Sequence, residues 1–269
     1  MSTILIAGGN SGIGLQAAHD LSEQGHRLVL LGRDPAKGAQ ALASLGTGAS
    51  FHAVDLSTHA GVRDAARVVL DQYDHLDAAL HTTGVMTPGD VRTPDGLSLF
   101  FAVNYLSRYH LTQLLLPALR KAEQARVVMM TARIAPTTPV DQDLFPRFEQ
   151  FDFASMRAQV QVANHHYAAH LARTEPGVLA GVVNAGAAQT DIFRTLPWYM
   201  RAVATLAVPV FYGSVGKAAH NAVQAAGRND WRAPTYWDKP GRFDQRTPID
   251  LDTATTSHVM NTSGELTSA

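Results

Sequence analysis

The chain has 269 residues, 46% of them apolar, which suits one α/β domain with a full core better than two small ones. A formal charge of −1, with no long run of one sign, gives no field for capturing nucleic acid or an anionic membrane, so neither is expected as a partner. The absence of cysteine excludes disulfides, thiolate nucleophiles and Cys-ligated zinc, and the lack of a basic-then-apolar leader or a long apolar run predicts a cytoplasmic protein.

The first element is an apolar strand from Ile4 to Ala7 that stops at glycines. Gly8, Gly12 and Gly14 let a strand turn tightly, bring its backbone against a pyrophosphate, and start a helix over Leu15 to Gln24 whose N–H groups face the anion. Gly8, Asn10, Ser11, Gly12, Ile13 and Gly14 are therefore the expected phosphate contacts of a dinucleotide. Arg27 to Leu31 reads as a buried strand, and Pro35 to Leu45 as a helix with proline near its start. A strand at Phe51 to Val54, a helix within His59 to Tyr73, a strand at Asp77 to His81 and a long helical stretch between Leu97 and Ala122 continue the alternation. Strands at Arg126 to Thr131 and Val178 to Val183 flank a helix around Ala154 to Thr174. The pattern predicts a Rossmann-like, doubly wound parallel sheet in a three-layer α/β/α single domain spanning 1–269. The segment 187–212, with Pro197, Trp198 and Tyr199, is expected to cover a substrate pocket; a helix follows near Gly213 to Ala226, and the tail from Arg228 reads as mostly irregular.

In such a sheet the ligand lies beyond the carboxyl ends of the strands. The second strand ends in Gly32-Arg33, where an NAD-selective site usually carries an acid for the ribose hydroxyls. A guanidinium pairs instead with a 2′-phosphate, so Arg33 argues for NADP(H). Asp55, after the third strand, suits an adenine amino group or a turn cap.

These residues resemble the short-chain dehydrogenase/reductase family, in its retinol-dehydrogenase-like branch. Gly8, Gly12 and Gly14 match its glycine motif, Leu31-Gly32-Arg33-Asp34 its NADP-type second strand, and Asp55-Leu56 its adenine contact. Val103-Asn104-Tyr105-Leu106 is similar to the segment carrying the catalytic Asn, and Asn184-Ala185-Gly186 through Thr190 to the turn beside the nicotinamide. Glu265-Leu266-Thr267 resembles the end of that branch. Three departures stand out. The family's Asn-Asn-Ala-Gly is here His81-Thr82-Thr83-Gly84, whose Gly84 remains an expected cofactor contact. The catalytic Ser falls on Ala132, at the end of Met129-Met130-Thr131-Ala132. In the register anchored by Ala163-Asn164 and His170-Leu171-Ala172-Arg173, Tyr falls on Arg157 and Lys on Gln161.

As the resemblance implies, Tyr donates a proton to a carbonyl, Lys lowers its pKa and holds the ribose, Ser orients the carbonyl and Asn supports a water relay; here Asn104 alone is kept. A guanidinium does not give up its proton at neutral pH, so Arg157 is expected to stabilise an oxyanion, enolate or carboxylate. Asn104, Thr82, Thr131 and His81 are the candidates for hydrogen bonds or proton transfer, and Gln161, Gly186 and Thr190 for contacts to the cofactor. Three functions follow: non-redox cyclisation, isomerisation or elimination with NADP(H) bound without turnover; hydride transfer to an already activated acceptor; or a catalytically inactive NADP(H) sensor or assembly partner. An open cleft around Arg157 favours catalysis, and a salt bridge closing it favours the sensor. A small substrate, apolar or polycyclic, is expected, and by resemblance a homodimer or homotetramer paired through the helices of Leu97 to Ala122 and Ala154 to Thr174. No metal is expected: His166 and His170 lie one turn apart but without an HExxH motif. Tyr167 lies about 15 Å along the helix from Arg157 and reads as core.

Overall fold

The computed structural model describes residues 1–87, 89–143, 145–146, 152–186 and 214–268. Thr190, Asp191 and the covering segment 187–212 lie outside the described residues.

Strands β1 (Thr3–Ala7), β2 (Arg27–Gly32), β4 (Ala78–His81), β5 (Ala125–Thr131) and β6 (Val178–Asn184) are nearly continuous apolar runs, as strands covered on both faces must be, whereas β3 (Ala49–Ala53), at the sheet edge, is only partly buried. They form one sheet in the order β3-β2-β1-β4-β5-β6, extended by β7 (Thr235–Trp237) and β8 (Thr247–Pro248). Every pairing is parallel except β7 with β8. Strand order reverses between β1 and β4, the position where open α/β sheets bind their ligands.

Period-two alternation sorts the strand side chains into two cores. Leu5, Ala7, Val29 and Val127 face one side, and Ile4, Ile6, Leu28 and Leu30 the other. Helices α1 (Gly12–Glu23), α2 (Pro35–Leu45) and α7 (Val215–Gly227) cover the second face. The first is covered by α3 (His59–Gln72), α5 (Ser107–Leu119), α6 (Phe153–Thr174) and α8 (Thr253–Thr267). The stretch expected as one helix from Leu97 is a short helix α4 (Leu99–Phe101), a π-helical turn over Ala102–Leu106, and α5. Such turns reposition side chains, and this one carries Asn104.

The tail corrects the sequence reading. Residues after Arg228 supply β7, β8 and the helix α8, not mostly irregular chain. Asp252 caps α8 by accepting from Thr255 N at 2.7 Å, and the helix buries Thr256, Val259, Met260 and Ser263. Polar bonds seat it: Thr256 Oγ1 lies 2.8 Å from His166 Nδ1 on α6, and Ser263 Oγ 2.8 Å from Tyr105 Oη. Among the described residues no helix is long and apolar enough to cross a membrane.

Candidate functional site

At the sheet's switch point the turn after β1 is held by Gly8 N donating to Leu31 O at 2.8 Å and by Thr82 Oγ1 donating to Ala7 O at 2.7 Å. Gly8 has φ +89°, and a Cβ there would lie 2.8 Å from Thr82 Oγ1. A Cβ on Gly14 would lie 2.1 Å from Gly8 O, so strand and helix approach as only glycine permits. The N-termini of α2, α3, α6, α7 and α8 are capped by Asp34, Thr58, Asp152, Ser214 and Asp252. That of α1 has no side-chain cap, leaving its first N–H groups to an external acceptor.

The loops leaving β1 to β6 enclose a cavity of about 840 Å³. Every glycine-loop residue predicted from sequence lines it: Gly8, Asn10, Ser11, Gly12, Ile13 and Gly14. So do Arg33, Asp55, Leu56, Gly84, Gln161 and Gly186, and the candidates Thr82, Asn104, Thr131 and Arg157. His81 does not. It is the last residue of β4, and its ring is buried with Nε2 2.9 Å from Thr112 Oγ1 on α5. Burial and the nearby Arg108 charge push its pKa down to about 3, so it is a neutral core group.

Two candidate hydroxyls are less available than their place in the wall suggests. Thr82 spends its proton on Ala7 O. Thr131 Oγ1 is closed off from solvent and has no hydrogen-bond partner among the described residues. Asp55 uses one carboxylate oxygen to accept from Ser57 N at 3.0 Å, capping its turn while lining the cavity.

Asn104 braces the wall. Its Nδ2 donates to Phe100 O at 2.8 Å and Val85 O at 3.0 Å, and its Oδ1 accepts from Val85 N at 3.3 Å. Its carbonyl accepts from Asn164 Nδ2 at 3.2 Å. On α6, Phe153, Arg157 and Gln161 recur every four residues, which puts all three on the face toward the cavity. Gln161 Oε1 accepts from Ala132 N at 3.3 Å, leaving its amide N–H groups without a partner among the described residues. Arg157 makes one long contact, Nη2 to Arg133 O at 3.5 Å, and no ion pair among them. Arg133 is held by Asp238 through bonds of 2.9 and 2.8 Å. No tyrosine lines the cavity among the described residues, and Tyr167 is fully buried with its Oη 3.1 Å from Gln113 Nε2.

Sequence reasoning missed Lys37, one turn beyond Arg33 and in the same wall, although two cations flanking a strand end were visible. It also missed Arg108, the one Lys or Arg in a largely buried helix. Arg108 lines the cavity at 2% exposure, donating to Asn164 Oδ1 at 3.0 Å and Thr83 O at 2.7 Å. Burial lowers its pKa to about 9, which still leaves it charged at neutral pH.

The geometry fits a dinucleotide: an uncapped helix start, a cradle that a Cβ would fill, and cations at the β2 end. Residues 2–142 match the family model described as short chain dehydrogenase. A short-chain dehydrogenase/reductase of Armillaria gallica is 30% identical over 207 residues, covering 72% of this chain and 67% of that protein. Retinol dehydrogenase 13 of Mus musculus is 25% identical over 230 residues, covering 82% and 69%. In structure, salutaridine reductase from Papaver somniferum superposes with a TM-score of 0.68 at 17% identity, over 88% of this chain and all of that one. A 3-ketoacyl-(acyl-carrier-protein) reductase from Brucella melitensis, solved with NADH, gives 0.63 at 19% identity over 84% and 90%. The family binds nicotinamide dinucleotides. Glycine loop, sheet order and matched sequence converge: the chain belongs to the short-chain dehydrogenase/reductase family, as a retinol-dehydrogenase-like member.

Proposed function

We propose that the chain binds NADP(H) and acts on a small organic substrate without a tyrosine–lysine proton donor, by cyclisation, isomerisation or elimination in preference to ketone reduction. The observation that carries this reading is the trio Ala132, Arg157 and Gln161 on one wall of the cavity, at the positions where the resemblance puts Ser, Tyr and Lys. When bound, the nicotinamide ring supplies a hydride donor or acceptor. The residues of this chain do the rest: Gln161 offers its amide to a ribose hydroxyl, Asn104 holds the Val85 backbone in place, and Arg157 presents a fixed charge where negative charge gathers on the substrate. Losing a positioned general acid forfeits roughly 10² to 10⁴ in rate, so carbonyl reduction by this site is expected to be very slow. The open setting of Arg157, with no carboxylate closing it among the described residues, favours an enzyme over a sensor.

The preference for NADP(H) rests on Arg33 and Lys37 in the wall beyond β2. A hydrogen bond to a charged group contributes about 1.5–3 kcal/mol, roughly tenfold to a hundredfold in affinity. Equilibrium titration is therefore expected to show NADPH bound at least tenfold tighter than NADH, and Arg33→Asp to reverse that order. Equal affinity for the two cofactors in the native protein would contradict it.

Pairing of copies through α6 is a different matter. Residues 161–169 of this helix are all buried within one chain, and α8 is seated on it through Thr256. We infer that a dimer of the expected kind forms only if α8 leaves.

A further inference from the structure

We propose that the substrate carries a carboxylate on an apolar body and that Arg157 is its anchor. This rests on, and narrows, the reading of the cavity as a site shared by NADP(H) and a small organic molecule.

Where the cavity is walled by the ends of β1, β2 and β3, its charged residues are mixed: Arg33, Lys37, Asp34 and Asp55. Where it is walled by the ends of β4, β5 and β6 and by α5 and α6, the charged lining residues described are Arg108 and Arg157, with no carboxylate between them. The two arginines differ in kind. Arg108 is spent on Asn164 and Thr83 and closed off, so it contributes positive potential from beneath the wall. That potential acts through a poorly screening interior. Arg157 is half-buried, and its single hydrogen bond among the described residues is the long one to Arg133 O. Asp238, the carboxylate that holds Arg133, is taken by the Nε and Nη2 of Arg133 and by Tyr236 Oη at 3.0 Å. The planar fork of Arg157 is thus unclaimed among the described residues.

What surrounds the fork selects the ligand. Val85, Met86, Phe100, Val103, Met130 and Phe153 line the same part of the cavity, and Phe100 meets Phe153 edge to face with centroids 5.5 Å apart. A doubly charged phosphate needs several donors to offset its desolvation, whereas one accessible guanidinium against apolar walls matches a single planar carboxylate. A neutral carbonyl compound would bring no counter-charge to either guanidinium.

The test uses the NADP⁺-loaded protein and two ligands of nearly equal shape, 2-naphthoate and its neutral methyl ester, titrated by calorimetry. The carboxylate is expected to bind at least about tenfold tighter, as for a charge-assisted hydrogen bond, and to weaken as salt is raised while the ester does not. Arg157→Gln is expected to bring the two affinities together. An ester that binds as well as the acid, an acid preference that survives in Arg157→Gln, or binding of neither ligand overturns the proposal. Should that variant fail to fold, the acid-to-ester ratio and its salt dependence in the native protein decide alone. A titration with NADPH beforehand separates the two levels: no cofactor binding defeats the function proposed above, whereas cofactor binding without acid preference defeats this inference only.

Discussion

Gly14→Ala is expected to cost about 3 kcal/mol or more of stability, the upper end of what overpacking does, and to abolish cofactor binding with it. The new Cβ would sit 2.1 Å from Gly8 O, 2.5 Å from Thr82 Oγ1 and 2.8 Å from Gly8 C. Two of these three are backbone atoms, and they cannot retreat: Gly8 N is bonded to Leu31 O, and Thr82 Oγ1 to Ala7 O. Relief requires moving α1 away from β1, which opens the cradle whose N–H groups would meet the phosphates. Gly216→Ala is the matched control, because nothing among the described residues lies within 4 Å of a Cβ there. That glycine is in the first turn of α7, where alanine should be neutral or stabilising by a few tenths to about 1 kcal/mol. Urea unfolding of both variants checks the contrast, and a Gly14→Ala protein as stable as Gly216→Ala would refute the packing described.

Acid is expected to unfold this protein well above the pH at which carboxylates titrate. His81 and His165 are buried, both with pKa values held to about 3 by loss of solvent, against an ordinary 6.5. His165 has neither ring nitrogen hydrogen-bonded among the described residues and packs against Tyr236 with centroids 4.7 Å apart. Between pH 6.5 and 3 the unfolded chain binds a proton at each site that the folded chain refuses, so stability falls as pH falls through that window. Each histidine contributes a slope of up to about 1.4 kcal/mol per pH unit, and the two together up to about 2.7, against a typical total of 5–15 kcal/mol. The depressed carboxylates, among them Glu175 beside Arg120 and Asp238 beside Arg133, add their losses only below about pH 4.5. His165→Phe, which keeps an aromatic ring and removes the proton site, should lower the slope by up to about 1.4 kcal/mol per pH unit, the rest coming from His81 and from His110 and His166, whose pKa values burial also lowers, to about 4. Stability that stays flat from pH 6.5 to 4.5 would show that these rings can be protonated in place.

Much of the cofactor half of this site is legible in the sequence because backbone geometry dictates it. A buried strand ending in Gly8, a helix opening at Gly12 and Gly14, and a cation after β2 have few other uses together. The substrate half is less legible, since its wall is assembled from distant segments. Met86, Phe100 and Phe153 come from three loops and helix starts, and only the folded sheet brings them together. His81 shows the limit of reading strand ends: it stands one residue before Thr82, and alternation along β4 turns its ring under α5 while Thr82 lines the cavity. Arg108 carried a signal that went unused, a single charge at a buried position of α5. The α8 helix carried almost none. Rich in Thr and Ser, it has weak intrinsic helix propensity, and its cap at Asp252 and its packing on α6 specify it instead.

On this reading a nucleotide cradle persists beside a site without its proton donor. The most direct measurement is NADPH consumption, followed at 340 nm with a panel of simple aldehydes and ketones after NADPH binding has been established by titration. Saturable NADPH binding and no oxidation above the uncatalysed background are expected. Rapid oxidation with an unactivated ketone would contradict this reading, because Arg157, Gln161 and Ala132 would then be supporting the very proton transfer they are argued to lack.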